Sequence, residues 1–263
     1  MSSSSAGLTE ALACSGERRR AALVTGGAKR IGRAICLELA AAGFDLAIHH
    51  RESGDEAAQL ADGIRALGRR AVCLSADLAD AEATGALVGR AVAALGPLSV
   101  LVNNASLFAD DRLDSLTGES WSSHMDVNLR APVLLAQAFA AQAPDGASII
   151  NILDQRVLKP DPRFFSYGLS KSALWVATRT MAQALAPRIR VNGVGPGPVL
   201  PSVHQTAETF AAEAAAVPMG RPGSPEAIAR TVLWLVDADL VTGQMIAVDG
   251  GQHLAWQTPD IVE

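Results

Sequence analysis

The sequence is poor in charge and in aromatic side chains. Only 19% of its 263 residues are Asp, Glu, Lys or Arg, 4% are aromatic, and Tyr167 is the single tyrosine. Because this low charge accompanies 49% hydrophobic residues, a disordered or collagen-like chain is excluded. The length would also allow two small domains, but we expect one domain, since neither a strong internal linker nor a repeat is evident.

Cysteine is also scarce. The three cysteines, Cys14, Cys36 and Cys73, lie far apart, and none belongs to a Cys-x-x-Cys pair. This spacing argues against a disulfide framework and against a structural zinc centre, and no cluster of metal-ligating residues appears elsewhere, so we expect no metal. A reducing, cytoplasmic setting fits best.

Long apolar runs are missing as well. No stretch reaches the roughly 18 apolar residues of a membrane-spanning helix. Residues 1–16 lack the charged start and apolar run of a signal peptide, and we interpret residues 1–19 and 257–263 as flexible tails flanking a domain of residues 20–256. The net charge of −5 gives no general attraction to nucleic acid or anionic membrane, so phosphate affinity must come from a local site.

Short apolar runs alternate with longer segments of helical periodicity. Strands are predicted at residues 21–25, 45–49, 71–75, 100–103, 148–153, 190–194 and 245–248. Helices are predicted at residues 31–42, 56–67, 81–94, 121–142, 167–185 and 225–236. This alternation predicts a single-domain, Rossmann-like α/β fold, a doubly wound parallel sheet of about seven strands with helices on both faces. Residues 198–223 depart from it, and we expect an excursion over one sheet edge, of the kind that often covers a ligand.

A glycine-rich loop follows the first predicted strand. It reads Thr25-Gly26-Gly27-Ala28-Lys29-Arg30-Ile31-Gly32 and leads directly into a helical pattern. The glycines allow a tight turn whose amides, with the positive end of the helix, can face a pyrophosphate. A plain strand-to-helix turn is the alternative, but the loop ends the first strand of a βαβ series, where dinucleotides bind in such sheets.

The residues at the end of the second predicted strand indicate which dinucleotide the site binds. An NAD enzyme normally places Asp or Glu here for the ribose, whereas this chain has His49-His50-Arg51-Glu52-Ser53. A basic, hydroxyl-bearing site suits a 2′-phosphate and predicts NADPH, with Arg51 and Lys29 as the cations. Glu52 opposes this preference, and a solvated Arg51 at a strand end is the alternative.

Polar residues follow the third and fourth predicted strands. Asp77 and the Asn103-Asn104-Ala105 run are expected at the same sheet edge, where they could hold an adenine and a ribose. Either could instead cap a helix or a turn.

Tyr167 and Lys171 are placed one turn apart on one face of a predicted helix. A nearby cation favours the phenolate, so we expect the pKa of Tyr167 to fall from its ordinary value of about 10, which helps proton transfer near neutral pH. Asp154, at the end of the preceding predicted strand, adds a carboxyl group.

These motifs together resemble the short-chain dehydrogenase/reductase family along residues 21–254. The motifs in register are the glycine loop, Asn103-Asn104-Ala105, Asn128, Tyr167 with Lys171, Pro196-Gly197 and Val248-Asp249-Gly250-Gly251. The resemblance implies direct hydride transfer from the nicotinamide, proton handling by Tyr167, a Lys171 that lowers the tyrosine pKa and holds the nicotinamide ribose, and an Asn128 that helps keep a water relay. It also implies a homo-oligomer, commonly a tetramer, with helices 121–142 and 167–185 in one contact.

Two positions depart from the usual family pattern. Arg30 replaces the middle glycine of the first loop, and Asp154 replaces the catalytic serine thirteen positions before Tyr167. Both departures, and Phe108 after the Asn-Asn-Ala motif, are shared with pteridine reductases and dihydromonapterin reductases. That resemblance implies a pterin stacked between Phe108 and the nicotinamide, Arg30 near both cofactor phosphate and substrate, and protons supplied by Asp154 and Tyr167. A capping role for Asp154 and ordinary packing of Phe108 are the alternatives.

The predicted site has three parts. The catalytic set is Asp154, Tyr167, Lys171 and Asn128. The cofactor set is Gly26, Lys29, Arg30, Ile31, Gly32, His50, Arg51, Ser53, Asp77, Leu78, Asn104, Ala105, Tyr167, Lys171, Pro196 and Gly197. The substrate set is Arg30, Ser106, Phe108, Asp154 and Tyr167.

We therefore expect an NADPH-dependent reductase of a dihydropterin or a related dihydrofolate. A ketone or alcohol oxidoreductase of the same fold, in which aspartate replaced serine without a change to pterin, is the second hypothesis. A nucleotide-sensing protein without turnover is the third, and the intact Tyr167, Lys171 and Asn128 weigh against it.

Overall fold

The computed structural model describes residues 20–202 and 205–256. The two predicted tails, residues 1–19 and 257–263, lie outside this part of the chain. Within it, the strands are β1 (Ala21–Val24), β2 (Asp45–His50), β3 (Ala71–Ser75), β4 (Val100–Asn103), β5 (Ala147–Ile152), β6 (Ile189–Pro196) and β7 (Met245–Val248). They form one sheet in the order β3-β2-β1-β4-β5-β6-β7, with every neighbouring pair parallel. The predicted doubly wound parallel sheet is confirmed.

Helices cover both faces of this sheet. Their bounds are α1 (Arg30–Ala41), α2 (Gly54–Ala66), α3 (Ala81–Leu95), α4 (Gly118–Met125), α5 (Ala131–Gln142), α6 (Phe165–Leu185), α7 (Ala207–Ala216) and α8 (Pro225–Asp237). One buried cluster joins α1, α2 and α8 to the sheet, and another joins α3, α5 and α6 to its opposite face. Strands β1 and β4 are buried on both sides, which explains their uninterrupted apolar sequences.

The predicted helix 121–142 is wrong in one respect. The chain forms α4, then a π-helical turn at Asp126–Arg130, and then α5. The turn carries Asn128, which is fully buried and bonded to polar groups outside the helix. A single-turn π insertion of this kind is frequent at functional sites, because it redirects one side chain without ending the helix.

The chain order locates the crevice of the sheet. From β1 the chain moves outward to β3, and it then returns to pair β4 with the other side of β1. The carboxyl ends of β1 and β4 therefore border the switch point, where ligands bind in sheets of this type. Helix α7 lies within the predicted excursion at residues 198–223, after β6. In the described part of the chain, no helix has the length and apolar character needed to cross a membrane.

Candidate active site

The glycine-rich loop between β1 and α1 is held by the segment after β4. Gly26 has a left-handed φ of +59°, and a Cβ at Gly32 would lie 2.1 Å from the Gly26 carbonyl oxygen. The Asn104 side chain donates to the carbonyl oxygens of Thr25 and Gly26, at 2.8 and 3.0 Å. The amides of Asn104 and Ala105 donate to Thr25 Oγ1 at 2.9 and 3.0 Å. Only glycine at position 32 permits this close approach of helix and loop.

His49 also holds this loop in place by hydrogen bonds, and it was not among the predicted site residues. Its Nδ1 accepts the Gly26 amide at 3.1 Å, so the ring proton sits on Nε2, which donates to the Ala76 carbonyl at 3.1 Å. Burial lowers the pKa of His49 to about 4 and keeps the ring neutral. The available signal was a histidine that directly follows the apolar run Leu46–Ile48 of β2.

Arg30 has a strained backbone and an ordered side chain. Its φ is +52°, which accounts for the glycine usual at this position in the family that the sequence resembles. The guanidinium donates to the carbonyl oxygens of Leu200 and Pro201, at 3.3 and 3.1 Å. Arg30 therefore ties the start of α1 to the segment that follows β6.

The two cations predicted for a 2′-phosphate lie on the surface at the β2 side, each beside a carboxylate. Lys29 Nζ is 2.6 Å from Glu56 Oε1, and Arg51 Nε is 3.1 Å from Glu52 Oε1. All four side chains are at least 45% exposed, so these ion pairs are weak. A phosphate can compete for both cations.

The other predicted cofactor residues follow β2 and β3 or begin α1. His50 ends β2, Ser53 precedes α2, and Ile31 lies in the first turn of α1. Asp77 Oδ1 accepts the Ala79 amide at 2.9 Å, which is a turn-capping bond, and Leu78 is buried.

Tyr167 and Asp154 meet directly. The phenol oxygen donates to Asp154 Oδ2 at 2.7 Å, and the Arg156 amide donates to Asp154 Oδ1 at 2.8 Å. The Arg156 guanidinium lies 3.4 Å from the same Oδ2. Asp154 thus caps the turn after β5 and also faces the phenol, so the two roles considered for it are compatible. Arg156, two residues after Asp154, was not among the predicted site residues.

The direction of the Tyr167 pKa shift differs from the sequence prediction. Burial, with the charge and hydrogen bond of Asp154, raises the pKa of Tyr167 well above its ordinary value. Lys171 lies 5.8 Å from the centre of the phenol ring, and its ammonium donates to the Ile152 carbonyl at 2.8 Å. Burial lowers the pKa of Lys171 to about 8. The expected lowering of the tyrosine pKa is therefore wrong here, because burial and the Asp154 anion outweigh the opposing charge of Arg156.

Protein groups occupy all the hydrogen-bonding positions of the Asn128 side chain. Its Nδ2 donates to the Leu107 carbonyl at 3.0 Å and to Ser170 Oγ at 3.1 Å. Its Oδ1 accepts the Leu107 amide at 2.8 Å and the Ser106 hydroxyl at 3.3 Å. Asn128 therefore fixes the segment after β4 against α6, close to Tyr167.

Phe108 belongs to an aromatic cluster over this group. Its ring stacks on Phe164, with centroids 4.3 Å apart and planes 20° apart, and meets the Tyr167 ring edge-on at 4.7 Å. The Arg156 guanidinium carbon lies 5.8 Å from the Phe108 ring centre. Phe164, which sequence reasoning missed, has a left-handed φ of +53°. The fold therefore brings Phe108, Asp154 and Tyr167 of the predicted substrate set together, whereas Ser106 donates to Asn128 and Arg30 donates to the segment after β6.

The Pro196-Gly197 turn at the end of β6 packs on the loop after β7. A Cβ at Gly197 would lie 2.7 Å from Cα of Asp249. Asp249 is buried and accepts the amides of Gly251 and His253, at 2.9 and 2.8 Å. The Val248-Asp249-Gly250-Gly251 motif thus packs against the Pro196-Gly197 turn and supports it.

In the described residues, no group of three or more His, Cys, Asp or Glu is arranged to hold a metal ion.

Comparison with known proteins identifies the family. The family model described as enoyl-(acyl carrier protein) reductase matches residues 26–253. An uncharacterised oxidoreductase of Mycobacterium tuberculosis is 35% identical over 241 residues, covering 88% of this chain and 91% of its own. The 3-oxoacyl-[acyl-carrier-protein] reductase of Staphylococcus aureus is 31% identical over 242 residues, covering 89% and 98%.

Among solved structures, the FolM alternative dihydrofolate reductase 1 of Brucella canis, complexed with NADP, is 48% identical with a TM-score of 0.90. The match covers 92% of this chain and 97% of that protein. The chain belongs to the short-chain dehydrogenase/reductase family, and it is an oxidoreductase. The hypothesis of a nucleotide sensor without turnover is set aside.

Proposed function

We propose that this enzyme reduces a dihydropterin, or the pterin ring of a dihydrofolate, with NADPH as the reductant. The observation that carries the proposal is the carboxyl of Asp154, 2.7 Å from the phenol oxygen of Tyr167, whose ring meets the ring of Phe108 edge-on at 4.7 Å. An aromatic face suits a flat heterocycle, and a phenol paired with a carboxyl suits protonation of a ring nitrogen. The similarity to the Brucella canis protein supports the same substrate class.

The residues present fit an NADP cofactor. Gly32 and Gly26 keep the first loop free of side chains that would fill a pyrophosphate cradle. The cap residue of α1, Lys29, makes no side-chain capping bond, and the first turn holds no acidic residue, so the positive helix end suits an anion. Arg51 and Lys29 would hold the 2′-phosphate, with Asp77, Asn104, Ala105, Pro196 and Gly197 along the same edge.

When bound, the cofactor supplies hydride to the carbon of the reduced C=N bond. The protein supplies the proton that the substrate nitrogen takes up. Tyr167 holds its proton at neutral pH because its pKa is raised, and it already points that proton at Asp154. Asp154 Oδ2 can accept that proton and pass it to the substrate nitrogen, which leaves the carboxylate unchanged and a phenolate that takes its next proton from solvent, while Lys171 would hold the ribose of the nicotinamide. Phe108 would orient the ring, and Arg30 would contact both the cofactor phosphate and the substrate.

The direct test is oxidation of NADPH by the purified enzyme with dihydrobiopterin, dihydromonapterin and dihydrofolate, each against NADH as the alternative reductant. We expect turnover of at least one of them with NADPH. No turnover of any of the three would end the pterin proposal.

A carbonyl reductase is the second candidate, and the similarity to the Staphylococcus aureus 3-oxoacyl-[acyl-carrier-protein] reductase favours it. Asp154→Ser restores the residue that is usual in the family. If pterin is the substrate, this variant loses pterin reduction while ketone reduction is unchanged or gained. If carbonyls are the substrate, the wild-type enzyme reduces ketones and ignores pterins.

We also propose a homo-oligomer, with α4 to α6 in the contact. Trp121, Val133, Leu169 and Val176 on these helices are exposed apolar side chains, which supports a surface that is covered by another copy. Light scattering measures the mass of the assembly and so tests for a tetramer. Val176→Glu places a charge in the proposed contact and should lower that mass.

The free cysteines Cys36 and Cys73 support a reducing, cytoplasmic setting.

A further inference from the structure

The helix that carries Tyr167 is capped by a different segment of the chain. Phe164, the residue before α6, lies in the left-handed region and makes no side-chain capping bond. The first two amides of the helix, from Phe165 and Ser166, donate instead to the carbonyl oxygen and to Oδ1 of Asp111, both at 2.9 Å. Asp111 therefore replaces the missing cap from the loop that holds Phe108.

The Asp111 carboxylate is buried and well provided with donors. Its other oxygen, Oδ2, accepts the Ser166 hydroxyl and lies 3.1 Å from Ser120 Oγ. Burial alone would raise its pKa, but the bonds from Ser166 outweigh burial and lower the pKa of Asp111 below its ordinary value. The side chain is thus an anion at the positive end of α6, where the helix dipole favours it.

His124 completes the network. Its Nε2 accepts the Ala109 amide at 3.2 Å, so the ring carries its proton on Nδ1, which lies 3.0 Å from the Ser120 carbonyl and 2.6 Å from Ser166 Oγ. The side chain is fully buried, and burial lowers its pKa. The ring is therefore neutral, with both nitrogens bonded.

These hydrogen bonds restrain the backbone around Phe108. The amide of Leu107 before it is bonded to Asn128, the amide of Ala109 after it is bonded to His124, and Asp111 is anchored to α6. The backbone on both sides of the ring is therefore tied to the elements that carry Asn128 and Tyr167. The centroid distance of 4.7 Å between the Phe108 and Tyr167 rings depends on these bonds.

We propose that Asp111, His124 and Ser166 are positioning residues that hold Phe108 in register with Tyr167 and thereby set the preference for a flat ring substrate. The inference rests on the proposed function for its substrate, but the loop attachment is independent of it. None of the three side chains touches the reacting atoms.

Ser166→Ala removes one buried hydroxyl with little change in volume, and Ser172→Ala is the matched control. Ser172 lies on the same helix, and its hydroxyl donates to the Gly168 carbonyl at 2.8 Å, away from the Phe108 loop. The first readout is amide hydrogen exchange, which needs no substrate. We expect exchange at Ala109 and Phe165 to quicken by about threefold to tenfold in Ser166→Ala only. Unchanged exchange there overturns the positioning role.

The second readout is selectivity. We expect Ser166→Ala to raise KM for the dihydropterin by about threefold to tenfold, with a smaller effect on kcat and none on KM for NADPH. An equal rise in both KM values would indicate a general structural defect and overturn the proposal. Asp111→Asn, which keeps Oδ1 as an acceptor, serves as the second variant if Ser166→Ala does not fold.

A double-mutant cycle with Phe108→Ala separates the two roles. If the network acts through the ring, adding Ser166→Ala to Phe108→Ala leaves the pterin KM unchanged. Additive losses contradict the inference. Should the wild-type enzyme reduce no pterin, the proposed function fails, and hydrogen exchange still decides whether these residues hold the loop.

Discussion

The phenol oxygen of Tyr167 donates to Oδ2 of Asp154 across 2.7 Å, and the pKa of the phenol is raised rather than lowered. A tyrosine of this kind keeps its proton at neutral pH and is aimed at a group that can accept it. The carboxyl also faces the Arg156 guanidinium at 3.4 Å. The pair is therefore arranged to relay a proton, as the proposed reduction of a C=N bond requires.

Replacing Tyr167 by Phe should abolish most turnover while leaving NADPH binding intact. The change removes the phenol hydroxyl and its hydrogen bond to Asp154, so kcat should fall by about 10²- to 10⁴-fold. Steady-state kinetics and a fluorescence titration of NADPH check the two parts. Turnover above a tenth of the wild-type rate would show that another group supplies the proton.

Arg30 offers a test of backbone strain at the cofactor loop. Arg30→Ala and Arg30→Gly both lose the bonds to the Leu200 and Pro201 carbonyls, but only glycine relieves the φ of +52°. We expect Arg30→Gly to be more stable than Arg30→Ala by about 1 kcal/mol, measured by urea unfolding. Both variants should raise the substrate KM equally. A less stable Arg30→Gly would contradict the strain argument.

Lys171 should impose an alkaline limb on the reaction. Burial lowers its pKa to about 8, so the ammonium is present below that pH and is lost as the pH rises through it. The value of kcat/KM, which reports the free enzyme, should therefore decline above about pH 8. Tyr167 adds no limb there because its pKa is raised.

Lys171→Arg is the control for this limb, since guanidinium stays charged. Whatever its absolute rate, the variant should show a flat profile between pH 7 and pH 10. A wild-type limb near the ordinary lysine value, or a limb that persists in the variant, would assign the titration to another group.

Arg51 and Glu52 should act in opposite directions on the choice of cofactor. Arg51→Ala should raise KM for NADPH by roughly ten- to hundredfold, because a bond to a charged group is worth about 1.5–3 kcal/mol, and NADH should change little. Glu52→Gln frees the guanidinium from its neighbour at 3.1 Å and should improve NADPH binding. Equal effects of Arg51→Ala on both cofactors would remove Arg51 from the phosphate site.

The parts of the molecule that were predictable depend on short-range patterns. The apolar runs of the parallel strands, the glycines at positions 26 and 32 and the spacing of Tyr167 from Lys171 are local in sequence. Periodicity and steric freedom act over a few residues, so these features could be read without a structure. The family and the sheet followed from them.

Contacts between distant segments could not be read in this way. Asp111 and Ser166 are 55 residues apart, and His49 reaches Gly26 across 23 positions. The π-helical turn at Asn128 also depends on partners outside its own helix, including Ser170. The sequence around each of these residues does not indicate which distant residue it contacts.

Local residue order was enough to establish the parallel sheet, the nucleotide loop and the residue types available for proton transfer. Folding alone decided which way the phenol pKa moves and what caps the helix that carries the phenol. The physical reason is that desolvation and hydrogen bonding depend on surroundings assembled from remote parts of the chain, whereas periodicity and backbone freedom belong to each segment separately.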